Sequence, residues 1–284
     1  MLIGYQGVAG SYSEATLQDY IKEHHKTINQ FEAMPYSDFK SVVDDLLTER
    51  LDLIVVPVEN STTGIIARVM DLLRYQPVMA IAELYQPVQH SLLGVKGSDV
   101  STIKKVFSHP EALSQCVHFF DEYPMIESLV YEDTAKAASY VKMLGDKEVA
   151  AIASPRAGEI YDLITLKEKV QDESTNTTRF YVIEKHKGGD YTGDCLSMYI
   201  ETRHEAGALL KVLQIFDAFN CNMINLSARP IMNRPFTYGF FLELSIVNMS
   251  TPVDVMIQTV QQVAEYVQIL GRFNHTNRQE IFNL

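Results

Sequence analysis

Short apolar runs alternate along the first two thirds of the chain with stretches of helical periodicity. Leu2 to Gln6, Leu51 to Val58, Ser91 to Val95, Lys105 to Phe107, Ser128 to Tyr131 and Val149 to Ala153 read as strands. Helical patterns fall near residues 14 to 25, 65 to 75, 110 to 121, 133 to 144 and 155 to 162. Strands separated by helices predict an α/β class with largely parallel sheets. The polar, glycine-rich stretch at 184 to 193 reads as a linker. Beyond it come a strand (Cys195 to Thr202), a helix (Gly207 to Asn220), two strands (Met223 to Pro230, Thr237 to Val247), a helix (Val253 to Val267) and a last strand (Ile269 to Asn274). That βαββαβ order is the ferredoxin-like arrangement.

The turns after several early strands share a chemistry. Ser11 and Glu14 make a capping-box pattern, Asn60 to Gly64 is a run of small polar residues, Pro110 follows Ser108 and His109, and Asp133 and Thr134 open a helix. Any one of these is explained by capping alone. Four together, each after a strand, favour a cleft that binds an anion at the carboxyl edge of a sheet.

Composition narrows the choices without deciding among them. With 46% hydrophobic and 21% charged residues over 284 positions, two globular domains are expected. No run approaches the roughly 18 apolar residues of a spanning helix, and the N-terminus lacks the pattern of a signal peptide, so a cytoplasmic location is expected. Cys116, Cys195 and Cys221 are scattered, which argues against a disulfide framework or thiolate zinc site. A net charge of -12 without a basic cluster argues against nucleic-acid or anionic-membrane partners.

The densest candidate chemistry lies at Asn176 to Phe180. Arg179 offers a planar fork for a carboxylate, and Thr177 and Thr178 place hydroxyls beside it. On these residues alone a turn whose side chains satisfy the backbone is an equal reading. Glu59 and Asn60 end an apolar strand and so lie at its mouth, where a cap is the competing explanation. His109 and Gln115 bracket a helix start without metal-site spacing, and His24 and His25 lie on a charged helix. Serine-hydrolase elbow, Walker A loop and dinucleotide fingerprint are all missing, and no metal or cofactor is expected.

Five blocks, in order, nevertheless resemble one family: GYQGVAGSYSEAT near the start, VPVENSTTG at Val56 to Gly64, SHPEALSQC at Ser108 to Cys116, DTAKAA at Asp133 to Ala138 and NTTRFYVI at Asn176 to Ile183. They look like the signatures of prephenate dehydratase, and the remainder looks like the ACT regulatory domain that commonly follows it. The resemblance implies a two-lobed, periplasmic-binding-protein-like catalytic domain over 1–184, with lobe one at about 1–76 and 165–184 and lobe two at about 77–164. A ferredoxin-like ACT domain over 194–276 would follow. It implies conversion of prephenate to phenylpyruvate with loss of water and carbon dioxide. Thr178 would assist departure of the ring hydroxyl, with Glu59, Asn60 and Gln115 as catalytic neighbours. Arg179 would clamp a carboxylate, with Ser11, Ser61, Thr62, Thr134 and Thr177 as further substrate-binding donors.

The ACT resemblance implies a homodimer or homotetramer and feedback inhibition by L-phenylalanine. Gly207, Ala208, Leu209, Asn225 and Leu226 match the family's allosteric positions. The family's ESRP segment is replaced by SARP at Ser227 to Pro230 and NRP at Asn233 to Pro235. Rival readings are an arogenate dehydratase, a non-catalytic amino-acid sensor, and a chorismate mutase fusion, which would need a further helical domain.

Overall fold

The computed structural model describes residues 1–24 and 30–276; His25 lies outside them. The chain opens with β1 (Leu2–Gln6), α1 (Tyr12–Glu23), β2 (Glu32–Tyr36), α2 (Phe39–Leu47) and β3 (Leu53–Asn60). It continues with β4 (Gly64–Ile65), α3 (Ala67–Leu73), β5 (Val78–Pro87), β6 (Ser91–Gly94), β7 (Lys105–Ser108), α4 (Pro110–Ser114) and α5 (Val117–Glu122). Next come β8 (Glu127–Val130), α6 (Thr134–Leu144), β9 (Val149–Ala153), α7 (Pro155–Ile160), β10 (Ile164–Lys167) and β11 (Thr177–Lys185). The last third holds β12 (Cys195–Glu201), α8 (Ala208–Ala218), β13 (Asn222–Pro230), β14 (Tyr238–Ser245), α9 (Val253–Val263) and β15 (Tyr266–Phe273).

These elements form two compact units. One comprises Met1–Val42, Val55–Gly64 and Tyr85–Phe180; the other comprises Val43–Ile54, Ile65–Leu84 and Tyr181–Leu284. The first unit contains a sheet of order β10-β6-β9-β7-β8. There β7 runs parallel to β8 and β9, β6 pairs antiparallel with β9, and β10 pairs antiparallel with β6. Its helix α6 shows why such segments fold locally. Asp133 accepts from the Ala135 and Lys136 amides at the N-terminus, and Gly145 takes φ 64° at the C-terminus, where only a residue tolerant of left-handed backbone fits cheaply. The small face Ala135, Ala137 and Ala138 then packs fully buried against Ala151 and Ala153 of β9.

The same unit also holds the start of β11 beside the end of β3, with β1 and β2 next in order. Ile54, Val55 and Val56 of β3 are fully buried, and each such side chain contributes about 1.5–3 kcal/mol relative to exposure. β3 stops at Asn60 because Asn60 Oδ1 accepts from the amides of Thr62 (3.0 Å) and Thr63 (3.1 Å), closing a turn in place of further strand pairing.

In the second unit β12, α8, β13, β14, α9 and β15 follow the βαββαβ order, with sheet order β13-β14-β12-β15. All three pairings are antiparallel, and that order is ferredoxin-like. One sheet face packs on α8 and α9 through Leu196, Met198, Ile200, Val212, Phe216, Leu242, Met256 and Val260. On β14, a Cβ added at Gly239 would fall within the ring and hydroxyl of Tyr199, a fully buried side chain. Gly239→Ala is therefore expected to cost about 3 kcal/mol. A matched pair of urea melts checks this, and an unchanged midpoint would remove the close approach as a constraint.

Several expectations are corrected by competing local physics. The ten-residue strand β5 is not marked by the sequence pattern; Pro77 just before it and Pro87 at its end obscure an otherwise apolar run. The helix expected to Val267 ends at Val263, and β15 begins at Tyr266, because the pattern around 264–268 suits either element. β2 and α2 went unmarked. Pro35 within β2 weakened its strand signal, and α2 carries consecutive acids inside an amphipathic pattern.

Candidate active site

The strand ends of β3 and β11 are tied together by reciprocal bonds: the Ser61 amide donates to the Thr177 carbonyl (2.8 Å), and the Thr177 amide donates to Ser61 Oγ (2.9 Å). This clasp sets Asn60 against Asn176 and Thr178. Asn60 Nδ2 donates to Asn176 Oδ1 at 2.7 Å and lies 3.1 Å from Thr178 Oγ1. Asn176 Nδ2 in turn donates to Gln115 Oε1 at 3.0 Å. His90 Nε2 lies 3.1 Å from the same Gln115 oxygen.

The orientation of each amide is fixed from one end. Backbone N–H groups are unambiguous donors, so the two that reach Asn60 must meet its oxygen. Asn60 then presents NH2 to Asn176, Asn176 must receive it on oxygen, and its own NH2 faces Gln115. Thr178 Oγ1 accepts from Asn60 and so keeps its own hydrogen free to donate elsewhere. Thr178 is half-buried between the buried Thr177 and Arg179. Gln115 accepts on its oxygen and retains two N–H donors of its own.

Glu59 and Arg179 sit on the same two strands. Arg179 is 3% exposed, and its Nη1 lies 3.4 Å from Glu59 Oε2; the Tyr85 ring lies 5.9 Å from its guanidinium carbon. The expected carboxylate clamp is thus a buried guanidinium that Glu59 already neutralises. Thr177 Oγ1 donates to the Thr175 carbonyl (3.2 Å), and Ser61 Oγ is engaged with the Thr177 amide, so both hydroxyls brace the turn. Thr62 is exposed at the tip of the Asn60 turn.

Ser11 and Thr134 belong to helix starts. Ser11 caps α1 by accepting from the Glu14 amide (3.3 Å). Glu14 accepts from the Gly10 amide (3.1 Å) and pairs in bidentate fashion with Arg156, at 3.0 and 2.9 Å. Burial opposes ionisation of Glu14, but Arg156 and the Gly10 amide outweigh it and hold the carboxyl below its usual range. Thr134 is the first residue of α6, whose cap is Asp133. Cys116, beside Gln115, is fully buried, and burial pushes its thiol up to about 12, so it is no nucleophile at neutral pH.

Two residues that carry the network, Asn176 and His90, were not singled out individually by sequence. Asn176 lies inside the marked segment. His90 had no signal, because a lone histidine ahead of the apolar strand β6 reads as core. Burial lowers its pKa against the opposing effect of its hydrogen bond to Gln115, and the net shift favours the neutral imidazole.

In the second unit an open groove of about 590 Å³ runs along Thr202 to Leu210 with Thr237, Tyr238 and Phe240. Gly207, Ala208 and Leu209 line it. Asn225 and Leu226 lie on β13, paired with Glu243 and Leu242, and are not among the lining residues. The arginines of the two Arg-Pro pairs are committed elsewhere. Arg229 pairs with Asp71 at 2.9 Å, and Arg234 pairs with Glu201 at 3.2 Å and Glu265 at 3.5 Å.

Strand-end amide and hydroxyl groups of this kind, on an α/β scaffold followed by a βαββαβ module, are the framework of a small-molecule enzyme. The comparisons give that class its family. The family model described as prephenate dehydratase matches residues 3–188, and the chain belongs to that family. Arogenate dehydratase/prephenate dehydratase 1 of Arabidopsis thaliana is 32% identical, over 95% of this chain and 71% of its own. A solved prephenate dehydratase from Arthrobacter aurescens in complex with L-Phe superposes with TM-score 0.83 at 22% identity, covering 97% of this chain and 90% of that one. GqqA, described as a novel type of quorum quenching acylase, also superposes with TM-score 0.83, at 25% identity over 97% and 98% of the two chains. Among the described residues no helix is long and apolar enough to cross a membrane.

Proposed function

We propose that this chain dehydrates and decarboxylates prephenate to phenylpyruvate in L-phenylalanine biosynthesis, with Thr178 donating to the departing ring hydroxyl. The observation that carries the reading is the Asn60 network, which makes Thr178 Oγ1 an acceptor and leaves its own hydrogen to be donated to a substrate. In the reaction the bond from ring carbon to carboxylate breaks, and its electron pair enters the ring. The pair on the opposite carbon–oxygen bond leaves with the hydroxyl. One proton completes the water, carbon dioxide departs, and the ring becomes aromatic.

Aromatisation drives the chemistry, so the protein's task is orientation and one well-placed proton. A threonine hydroxyl is a feeble acid. It donates a strong hydrogen bond as charge develops on the leaving oxygen, and solvent restores the proton afterwards. Gln115 adds N–H donors beside it, and Thr62 and Thr134 add hydroxyls at the turn and helix start. Arg179 supplies positive charge beneath the site, shared with Glu59; a substrate carboxylate would compete with Glu59 for it. Ser11, Ser61 and Thr177 support the reading by bracing the segments that carry these groups.

The same proposal divides the chain into a catalytic domain at 1–184 and an ACT domain at 194–276, acting in the cytoplasm as a homodimer or homotetramer. The α8 groove is the proposed L-phenylalanine site. The N-terminus of α8 carries no side-chain cap, so its positive end favours a carboxylate, and Leu209, Leu210 and Phe240 offer apolar surface to a ring. Calorimetric titration with L-phenylalanine is expected to show saturable binding that an added bulky side chain at Ala208 abolishes. Undiminished turnover at high phenylalanine, with no heat of binding, would remove the regulatory half of the proposal. The name of the Arabidopsis relative favours a second substrate, arogenate. Parallel assays with prephenate and arogenate decide by their ratio of kcat/KM.

A further inference from the structure

We propose that His90 is a positioning residue of the dehydration site. Its Nε2–H holds Gln115, and through Gln115 and Asn176 it fixes the donor that polarises Thr178. The inference rests on the reading of Thr178 given above, but its core is geometric. His90 is 2% exposed. Its backbone is pinned from both sides: the amide donates to Gln171 Oε1 (3.0 Å), and the carbonyl accepts from the Val170 amide (2.9 Å). The ring therefore meets Gln115 from a fixed base.

Orientation logic that begins at the Thr62 and Thr63 amides ends at this ring. Asn60 oxygen faces those amides, Asn176 oxygen faces Asn60, and Gln115 oxygen faces Asn176 Nδ2. An oxygen already accepting from Asn176 can contact His90 Nε2 at 3.1 Å only if that nitrogen carries the hydrogen. His90 is thus the Nε2–H tautomer. Its Nδ1, which has no hydrogen-bond partner among the described residues, carries the lone pair.

This explains why a polar ring occupies a buried position. Gln115 has one oxygen and one NH2 group at the end of a freely rotating amide. With a single donor on its oxygen, the amide could flip, and the Asn176 contact would become a clash of two NH2 groups. A second donor on the same oxygen makes the flipped state lose two hydrogen bonds. Leaving a buried polar group without its partner is costly, so the flipped state is disfavoured. The ring also packs edge-on against Tyr12, with centroids 6.3 Å apart, so two replacements are needed to separate positioning from packing. Glutamine can place an N–H near the imidazole Nε2 position, whereas leucine fills the space without donating.

The test compares His90→Leu with His90→Gln, alongside a tautomer measurement on the wild-type chain. His90→Leu is expected to fold and to lose about 10²-fold in kcat, with KM changed only a few-fold. His90→Gln is expected to restore most of that loss. Histidine-selective 15N NMR, with the His90 signal assigned by its disappearance in His90→Gln, is expected to show the Nε2–H tautomer at neutral pH. Wild-type kcat in folded His90→Leu would overturn the proposal. So would an Nδ1–H tautomer, or a folded His90→Gln no better than His90→Leu. If His90→Leu fails to fold, the glutamine variant and the tautomer still decide. A wild-type chain inert toward prephenate would refute the function above while leaving the tautomer result to stand by itself.

Discussion

Thr178→Val is expected to leave a folded protein whose kcat toward prephenate falls by about 10²- to 10⁴-fold, the range lost when a positioned proton donor is removed. Valine matches threonine in shape and keeps the β-branched preference of a strand position, so β11 has no reason to change. What disappears is one oxygen that accepts from Asn60 Nδ2 at 3.1 Å and donates its own hydrogen. Asn60 Nδ2 retains Asn176 Oδ1 at 2.7 Å, so the network loses a branch and remains closed. Because the lost interaction strengthens as charge develops on the leaving oxygen, the change belongs in kcat, with KM nearly constant. Thr178→Ser, which keeps the hydroxyl, is expected to lose far less. Steady-state kinetics on the two variants, with circular dichroism to confirm folding, give the comparison. Equal activity of the valine and serine variants would show that the hydroxyl is not the donor.

Asn60→Asp is expected to be nearly as damaging, about 10²-fold or more in kcat, although it replaces one NH2 by one oxygen. The new carboxylate still accepts from the Thr62 and Thr63 amides, so the turn survives. Its second oxygen, however, faces Asn176 Oδ1 and Thr178 Oγ1, where the native side chain donated. Asn176 must flip, which turns its oxygen toward Gln115 Oε1. Thr178 must donate to the carboxylate, which consumes the proton reserved for the leaving group. Negative charge is also added where a dianion must bind. KM is therefore expected to rise while kcat falls, a signature distinct from Thr178→Val. Measuring both constants checks it; native kinetics in this variant would mean that the amide chain has no part in turnover.

Much of this architecture was legible before any coordinates. β3 was readable because its apolar run is continuous and ends in small polar residues, and α6 because Asp133 and Thr134 open a stretch of helical periodicity. The βαββαβ module followed from strand and helix lengths alone. What could not be read was relational. Asn60, Gln115 and Thr178 are far apart in sequence, and nothing in their spacing says that Asn176 bridges them or that His90 closes the far end. Arg179 reads as a carboxylate clamp from its chemistry; only tertiary structure shows it buried against Glu59. Arg229 and Arg234 read as departures from a ligand loop, and the structure gives each an acidic partner, Asp71 for one and Glu201 with Glu265 for the other. The sequence pattern reports local preference, whereas which polar atoms satisfy one another is settled by packing.

The central claim is that the Thr178 hydroxyl, accepting from Asn60, donates its hydrogen in the aromatising dehydration of prephenate. Product analysis of the purified chain incubated with prephenate tests it most directly. The expected result is phenylpyruvate and carbon dioxide in equal amounts from the wild-type chain, with the rate lost in folded Thr178→Val. Absence of phenylpyruvate, or its formation by Thr178→Val at the wild-type rate, would contradict it.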